Sequence, residues 1–156
     1  VVGQTDRTGT DYGYVGDIVD VNPAPVIDVL EQGYIPVVST VAQGIDDETN
    51  YNINADTAAC KLAVALGAKK LILLTDVRGL MLDPDDESTL LTNLKVSEVP
   101  RLMRDGVIKG GMIPKVDCCV EAVRKGVDQA NIQDGRVKHS ILIELLSKVG
   151  VGTMFQ

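Results

Sequence analysis

Residues 51–79 constrain the fold more than any other stretch, because they predict a helix and a buried strand in direct succession. Asn54 and Asp56 stand at the helix entrance, where unpaired N–H groups and a partial positive charge favour short polar and acidic side chains. Apolar residues recur at helical spacing up to Gly67, which can end the helix in a left-handed conformation. The stretch therefore predicts a helix whose amino end suits an anionic ligand.

The buried strand is predicted at residues 71–74, where four aliphatic residues follow one another without interruption. Such a run is typical of a strand covered on both faces in a parallel sheet. Thr75 and Asp76 then fall at the carboxyl end of the strand, where open α/β sheets bind their ligands. Helix and strand patterns alternate along the chain, so we expect an α/β fold with a mainly parallel sheet sandwiched by helices.

Four other segments carry specific predictions. We expect a polar loop at residues 3–14, a half-buried strand at residues 15–21 and a strand at residues 34–40. A final helix would begin at His139 or Ser140. The apolar face of that helix is predicted to consist of Ile141, Leu142, Leu145 and Leu146.

The composition limits the class of protein. At 156 residues, of which 45% are hydrophobic, the chain can bury one sizeable core. The net charge of −7 argues against a general nucleic-acid surface, although it allows a local basic pocket for phosphates. No apolar run approaches the roughly 20 residues that a transmembrane helix needs. Because the chain starts with Val1 in a polar segment, we expect residues 1–156 to begin inside a larger fold.

Two glycine-bearing segments are candidates for phosphate binding. Residues 75–79 form a turn at the end of a strand, and residues 109–115 read Lys-Gly-Gly-Met-Ile-Pro-Lys. Glycines let backbone N–H groups approach a phosphate, and Lys115 is expected to open a helix beside them. Neither segment has the Gly-x-x-x-x-Gly-Lys-Ser/Thr pattern, and Gly-x-Gly-x-x-Gly is absent from the chain. On the residues alone, an ordinary turn remains an alternative for both segments.

Three separated motifs resemble one family. They are YNINADTAACKLAVALGAKKLILLTDVRGL at residues 51–80, GGMIPKVDCC at residues 110–119 and HSILIELLSKVGVGTMF at residues 139–155. In this order they resemble the amino-acid kinase family, which has a carbamate kinase-like fold. Within it, the chain is similar to the branch that phosphorylates N-acetyl-L-glutamate, in the arginine-inhibited form of plants, algae and cyanobacteria. The similarity is to the C-terminal, nucleotide-binding portion, so the family's N-terminal lobe is expected to be missing from residues 1–156.

The resemblance implies a reaction and its residues. Such enzymes transfer the γ-phosphoryl group of ATP to the side-chain carboxylate of N-acetyl-L-glutamate, on the way to arginine. Lys115 would be a catalytic lysine that stabilises charge on the transferring group, and Asp56 would orient the catalytic lysines. Asn52 and Asn54 would contact the acetylglutamate. A carboxylate acceptor is already nucleophilic and needs no general base, and the isolated portion is expected to be inactive.

The resemblance also implies a nucleotide site. Its predicted lining residues are Thr75, Asp76, Gly79, Leu80, Lys109, Gly110, Gly111 and Met112. Magnesium would be held mainly by ATP oxygens, so no protein ligand for a metal is predicted.

Regulation and partners follow from the same resemblance. Glu144 would meet the cationic side of an inhibitory L-arginine, in a loop shaped by Gly150 and Gly152. An ordinary terminal helix and strand is the alternative for this region. A PII-type regulatory protein and a homo-oligomeric full-length form are expected, in a bacterial cytoplasm or a plastid stroma.

Two further functions stay open on the sequence. One is another amino-acid kinase, with UMP, aspartate or glutamate as the acceptor. The other is a regulatory module that binds a nucleotide or arginine without turnover.

Overall fold

The computed structural model describes residues 1–5, 10–147 and 150–156, and they form two compact units, Val1–Leu66 and Gly67–Gln156. The strands are β1 (Val2–Thr5), β2 (Asp11–Asp17), β3 (Val41–Gln43), β4 (Asn50–Asn52), β5 (Lys70–Thr75), β6 (Asn93–Leu94), β7 (Gln129–Asp134) and β8 (Gly152–Phe155). The helices are α1 (Ala24–Glu31), α2 (Ala55–Ala65), α3 (Val99–Arg104), α4 (Met112–Arg124) and α5 (Ser140–Leu146), with short 3-10 turns at Glu87–Thr89 and Val96–Glu98.

The first unit contains a mixed sheet in the order β1-β2-β4-β3. The polar loop predicted at residues 3–14 is wrong for the described residues there, because β1 and β2 pair antiparallel. Gly16, which pairs with Gly3, lets the backbone of β2 lie against the side chain of Tyr51. A Cβ at Gly16 would come within 2.7 Å of the Tyr51 Cβ atom. The strand predicted at residues 15–21 is confirmed only as far as Asp17.

Asparagine side chains bond the backbone at the start of α1 and of α2. Asn22 accepts a hydrogen bond from the backbone N–H of Ala24 at 3.1 Å, at the start of α1. Asn54 accepts from the backbone N–H of Thr57 at 3.1 Å and caps α2. Gly67 follows α2 with φ +59°, the left-handed conformation expected for it.

The strand predicted at residues 34–40 is wrong. Ile35 and Val37 are 90% and 96% exposed, and within the described residues the segment joins no sheet. Pro36 removes one backbone donor, and a β-strand is stable only beside a partner strand. The apolar sequence is therefore not sufficient for a strand here.

The second unit carries the sheet β5-β7-β8-β6, with α4 packed against β7. β5 and β7 run parallel in unbroken register, from Lys70 opposite Gln129 to Thr75 opposite Asp134. β8 runs antiparallel to β7 and parallel to β6. The α/β class is confirmed, although the sheets of both units are mixed rather than mainly parallel.

Burial in this sheet is uneven. Ile132 and Phe155 are fully buried in the central strands of the sheet. Val116 and Cys119 of α4 are fully buried as well. β5 is not covered on both faces as predicted, because Leu74 is 48% exposed.

The apolar face predicted for α5 is exposed rather than packed against the sheet. Ser140 and Glu144 are buried, whereas Ile141, Leu142, Leu145 and Leu146 are exposed. Helical periodicity identified which residues share the apolar face, but it did not show that this face points to solvent. Lys70 and Asn131 on the sheet bind Glu144, and these charge-assisted hydrogen bonds turn the polar side of α5 inward.

None of the helices in the described ranges is long and apolar enough to span a lipid bilayer.

Candidate functional site

The turn after β5 is fixed against β8. Thr75 donates a hydrogen bond from its hydroxyl to the Asp76 carboxylate at 3.3 Å. The backbone N–H of Leu80 donates to the hydroxyl of Thr153 at 2.8 Å, in a buried position. Gly79 has φ +153°, and a Cβ there would lie 2.7 Å from the Thr153 hydroxyl oxygen. A residue with a side chain would push the turn away from β8, so the close approach requires glycine.

The second glycine-bearing segment forms the entrance to α4. Gly110 adopts φ +56°, and Gly111 is the residue that precedes the helix. The helix begins at Met112, so Lys115 lies inside its first turn and does not open it as predicted. Lys115 is half-buried. The predicted glycines before a lysine-bearing helix are therefore present. The helix begins at Met112, about one turn before Lys115 rather than at it.

A cavity of about 160 Å³ joins these two segments. It is lined by Val77, Gly79, Leu80, Met81, Pro84, Val107, Lys109 and Met112. Apolar walls suit a flat aromatic ring, and the one cationic side chain suits an anionic group attached to the same ligand. Four of the eight predicted nucleotide residues line this cavity. Thr75 and Asp76 lie on the same turn as Gly79, and Gly110 and Gly111 connect Lys109 to Met112.

The residues predicted to contact acetylglutamate and to orient the catalytic lysines belong to the first unit and lie around the start of α2. Asn52 is the last residue of β4 and pairs with Val41, and its side chain is exposed. Asn54 uses its side-chain oxygen to cap the helix, so it has a structural task in addition to the predicted one. Asp56 lies in the first turn of α2 and is half-buried. Asn54 and Asp56 thus lie at the entrance of α2, and Asn52 precedes them at the end of β4. Their roles toward acetylglutamate and the lysines stay predictions.

Sequence reasoning missed an ion pair at the end of β7. Asp134 is buried, and it accepts two hydrogen bonds from the Arg136 guanidinium, at 3.0 Å from Nε and 2.9 Å from Nη2. These bonds hold the pKa of Asp134 below its usual value and raise the pKa of Arg136. The pattern of the strand that ends at Asp134 does not report this pair, because the two side chains meet only in the turn around Gly135.

A larger cavity of about 500 Å³ lies at the opposite end of the same strands. It is lined by Lys70, Thr92, Asn93, Gln129, Asn131, Glu144, Ser147, Gly150, Gly152 and Met154. The three residues predicted for an arginine site, Glu144, Gly150 and Gly152, are therefore together. A Cβ at Gly152 would collide with the carbonyl oxygen of Ile132, so glycine is required there.

Glu144 is the centre of this cavity's polar contacts. Its Oε1 atom accepts from Lys70 Nζ at 3.0 Å and from Asn131 Nδ2 at 2.8 Å. The backbone N–H of Val151 points to its other oxygen at 3.4 Å. The Asn131 side-chain oxygen is buried and has no hydrogen-bond partner among the described residues. Lys70 and Asn131 were missed, because a strand's first residue and a buried amide have no distinctive sequence pattern.

Comparison with known proteins decides the family. The sequence profile described as "Amino acid kinase family" matches residues 2–134. The chain belongs to the amino acid kinase family. Acetylglutamate kinase of Clostridium beijerinckii is 59% identical over 148 residues, which cover 95% of the chain and 52% of that kinase. The chain thus spans about half the length of the curated amino acid kinases that it matches.

Solved structures agree with this family. N-acetylglutamate synthase from Neisseria gonorrhoeae, complexed with coenzyme A and L-arginine, superposes with a TM-score of 0.86 at 28% identity. That match covers 99% of the chain and 34% of the synthase. Carbamate kinase from Giardia lamblia, bound to AMP-PNP, gives 0.66 at 23% identity over 88% of the chain and 45% of that kinase. The carbamate kinase-like fold is therefore confirmed.

Within the described residues, no group of three or more His, Cys, Asp or Glu side chains could hold a metal ion. That the phosphate oxygens carry the magnesium stays a prediction.

Proposed function

We propose that this chain is the nucleotide-binding part of an acetylglutamate kinase, which phosphorylates the side-chain carboxylate of N-acetyl-L-glutamate in arginine biosynthesis. One observation carries the proposal. The cavity that joins the turn after β5 to the entrance of α4 stands at the carboxyl end of a parallel strand, in a chain 59% identical to an acetylglutamate kinase.

The proposed chemistry is electrostatic. As the γ-phosphoryl group moves, negative charge spreads over its oxygens, and a positioned lysine lowers the energy of that state. Lys115 has this role, since it lies in the helical turn that follows the glycines. Asp56 orients the catalytic lysines, and Asn52 and Asn54 contact the acetylglutamate. ATP brings magnesium on its own phosphate oxygens.

The larger cavity is proposed to bind L-arginine as an inhibitor. Glu144 would pair with the guanidinium group and Lys70 with the carboxylate, because each offers the opposite charge. The unpartnered oxygen of Asn131 is a further acceptor for an arginine N–H. The synthase that shares the fold was solved with L-arginine, which supports the ligand class. A PII-type partner, a homo-oligomer and a location in cytoplasm or plastid stroma belong to the same proposal for the full-length enzyme.

Calorimetry with the 156-residue chain tests the nucleotide site. Titration with MgATP should show saturable binding, and Lys115→Ala should weaken it about tenfold, the loss expected for one charged contact to a phosphate. Lys125→Ala removes an equal charge from the opposite end of α4 and is the matched control. Absence of binding by the unaltered chain would contradict the proposal.

The acceptor is tested with the full-length enzyme. Acyl phosphate formation should occur with N-acetyl-L-glutamate and not with aspartate, glutamate or UMP. ATP binding without turnover on any of these acceptors would favour a regulatory module.

A further inference from the structure

The turn after β7 lies directly beside the nucleotide turn after β5. Because the two strands stay in register up to Thr75 and Asp134, they end at the same level. The backbone N–H of Gly135 donates to the carbonyl oxygen of Thr75 at 2.9 Å. A Cβ at Gly135 would lie only 3.2 Å from the Leu74 Cβ atom, so the two turns are closely packed.

Asp134 fixes the direction of Arg136 in this second turn. The carboxylate is buried and accepts hydrogen bonds from Nε and Nη2 of the guanidinium. It also accepts a hydrogen bond from the backbone N–H of Arg136 at 2.9 Å. Three contacts from one acid leave the arginine little rotational freedom. Yet its side chain is 70% exposed, so its remaining N–H groups can serve other partners.

Charges alternate across the two turns. The pKa of Arg136 is raised first by its hydrogen bonds to Asp134 and also by the charge of Asp76. The pKa of Asp134 is lowered first by Arg136 and, more weakly, by Arg78. Geometry places these groups near each other, because Asp76 and Arg136 directly follow Thr75 and Gly135, whose carbonyl oxygen and N–H are joined at 2.9 Å.

We propose that Arg136 is a positioning residue of the nucleotide site. Gripped by Asp134, its guanidinium orients the carboxylate of Asp76 and so holds residues 75–80 in the conformation that accepts the nucleotide. The inference rests on the proposed function, because that function gives Asp76 its contact with the nucleotide. Arg136 acts through Asp76 and does not itself touch the reacting atoms.

Binding of MgATP to the 156-residue chain, measured by calorimetry, tests the role of Arg136. Arg136→Ala should weaken binding about tenfold, the loss expected for a charge-assisted contact. Arg136→Lys should lose less, because it keeps the charge near Asp76 but not the two-pronged contact with Asp134. Arg124→Ala, which also removes an exposed arginine, from the end of α4, should leave binding unchanged.

A double-mutant cycle separates positioning from a merely structural role. If Arg136 acts through Asp76, then Arg136→Ala should cause little further loss in a chain that already carries Asp76→Asn. Equal loss in both backgrounds would show that the arginine stabilises the fold by another route, and it would overturn the inference. Should Arg136→Ala fail to fold, Arg136→Lys replaces it in the same cycle.

The two proposals fail in different ways. If the unaltered chain does not bind MgATP, the nucleotide site is wrong and the role of Arg136 falls with it. If the unaltered chain binds MgATP and Arg136→Ala binds equally well, only the role of Arg136 is overturned.

Discussion

The two ends of the β5 and β7 pair use ion pairs in different ways. At the carboxyl end, Asp134 and Arg136 are two residues apart, and the arginine remains largely in solvent. At the amino end, Lys70 reaches Glu144 across 74 positions of the chain, and both side chains are mostly buried. The first pair shapes one turn, whereas the second fixes α5 to the sheet. The same chemistry therefore sets local geometry at one end and tertiary structure at the other.

The largest effect is expected from Glu144→Ala. This change leaves the Lys70 ammonium and the Asn131 amide without their acceptor in a largely buried position, which costs about 3 kcal/mol of unfolding free energy. Denaturant unfolding measures it. Glu87→Ala, which breaks an exposed pair with Arg78, should cost less than about 1 kcal/mol. Equal losses in the two variants would erase the proposed difference between a tertiary and a surface pair.

A smaller loss is expected from Gly152→Ala. The new methyl group would collide with the Ile132 carbonyl oxygen and approach Gln133, and overpacking of this kind costs about 2 kcal/mol. Gly111→Ala meets nothing within 4 Å and serves as the control for stability. Thermal unfolding of both variants checks the expectation. An unchanged midpoint for Gly152→Ala would mean that β8 has room to shift away from β7.

Thr153→Val tests the carboxyl end of the β5 and β7 pair, where the turn after β5 is bonded to β8. Valine has nearly the same shape but leaves the buried N–H of Leu80 without an acceptor, at a cost of about 1 kcal/mol. We also expect weaker MgATP binding, because Leu80 lines the cavity. Thr92→Val makes the same chemical change at an exposed site and should be neutral. A stable Thr153→Val chain with undiminished MgATP binding would argue that β8 does not hold the turn.

The smallest effect is a pH dependence at Asp134. Its pKa in the folded chain is depressed, so its stabilisation is complete above the unfolded value of about 3.9 and is lost as the pH falls through the folded value. The stability difference between the unaltered chain and Asp134→Asn should therefore be constant near neutrality and shrink in acid. Thermal unfolding from pH 7 to pH 3 measures it. A difference that persists at the acid end would assign the stabilisation to packing.

Local signals in the sequence predicted the two ends of α2 well. Asn54 caps the helix and Gly67 follows it in the left-handed conformation, because capping depends on residues within a few positions of each other. The segments at residues 75–79 and 109–115 were predicted from their glycines and from family resemblance, and one cavity joins them. That this cavity binds a nucleotide stays a prediction.

The failures share a physical cause. Burial of α5 depends on Lys70, which is 74 positions from Glu144, so helical periodicity could not show that the polar side turns inward. The segment at residues 34–40 has strand composition, but its conformation depends on a neighbouring strand. Arg136 was missed because its importance arises from the register of β7 beside β5, and no single-strand pattern reports that register.

The unbroken register of β5 and β7 also limits how the two cavities could communicate. Sliding one strand past the other by a single residue would exchange their faces, turning Leu71 and Leu73 out of the core. Such a slip would dismantle the Lys70 contact and the Thr75 turn at once. A signal between the two cavities must therefore travel as a tilt or a change of twist of β5 and β7 together, with all the hydrogen bonds between the two strands preserved.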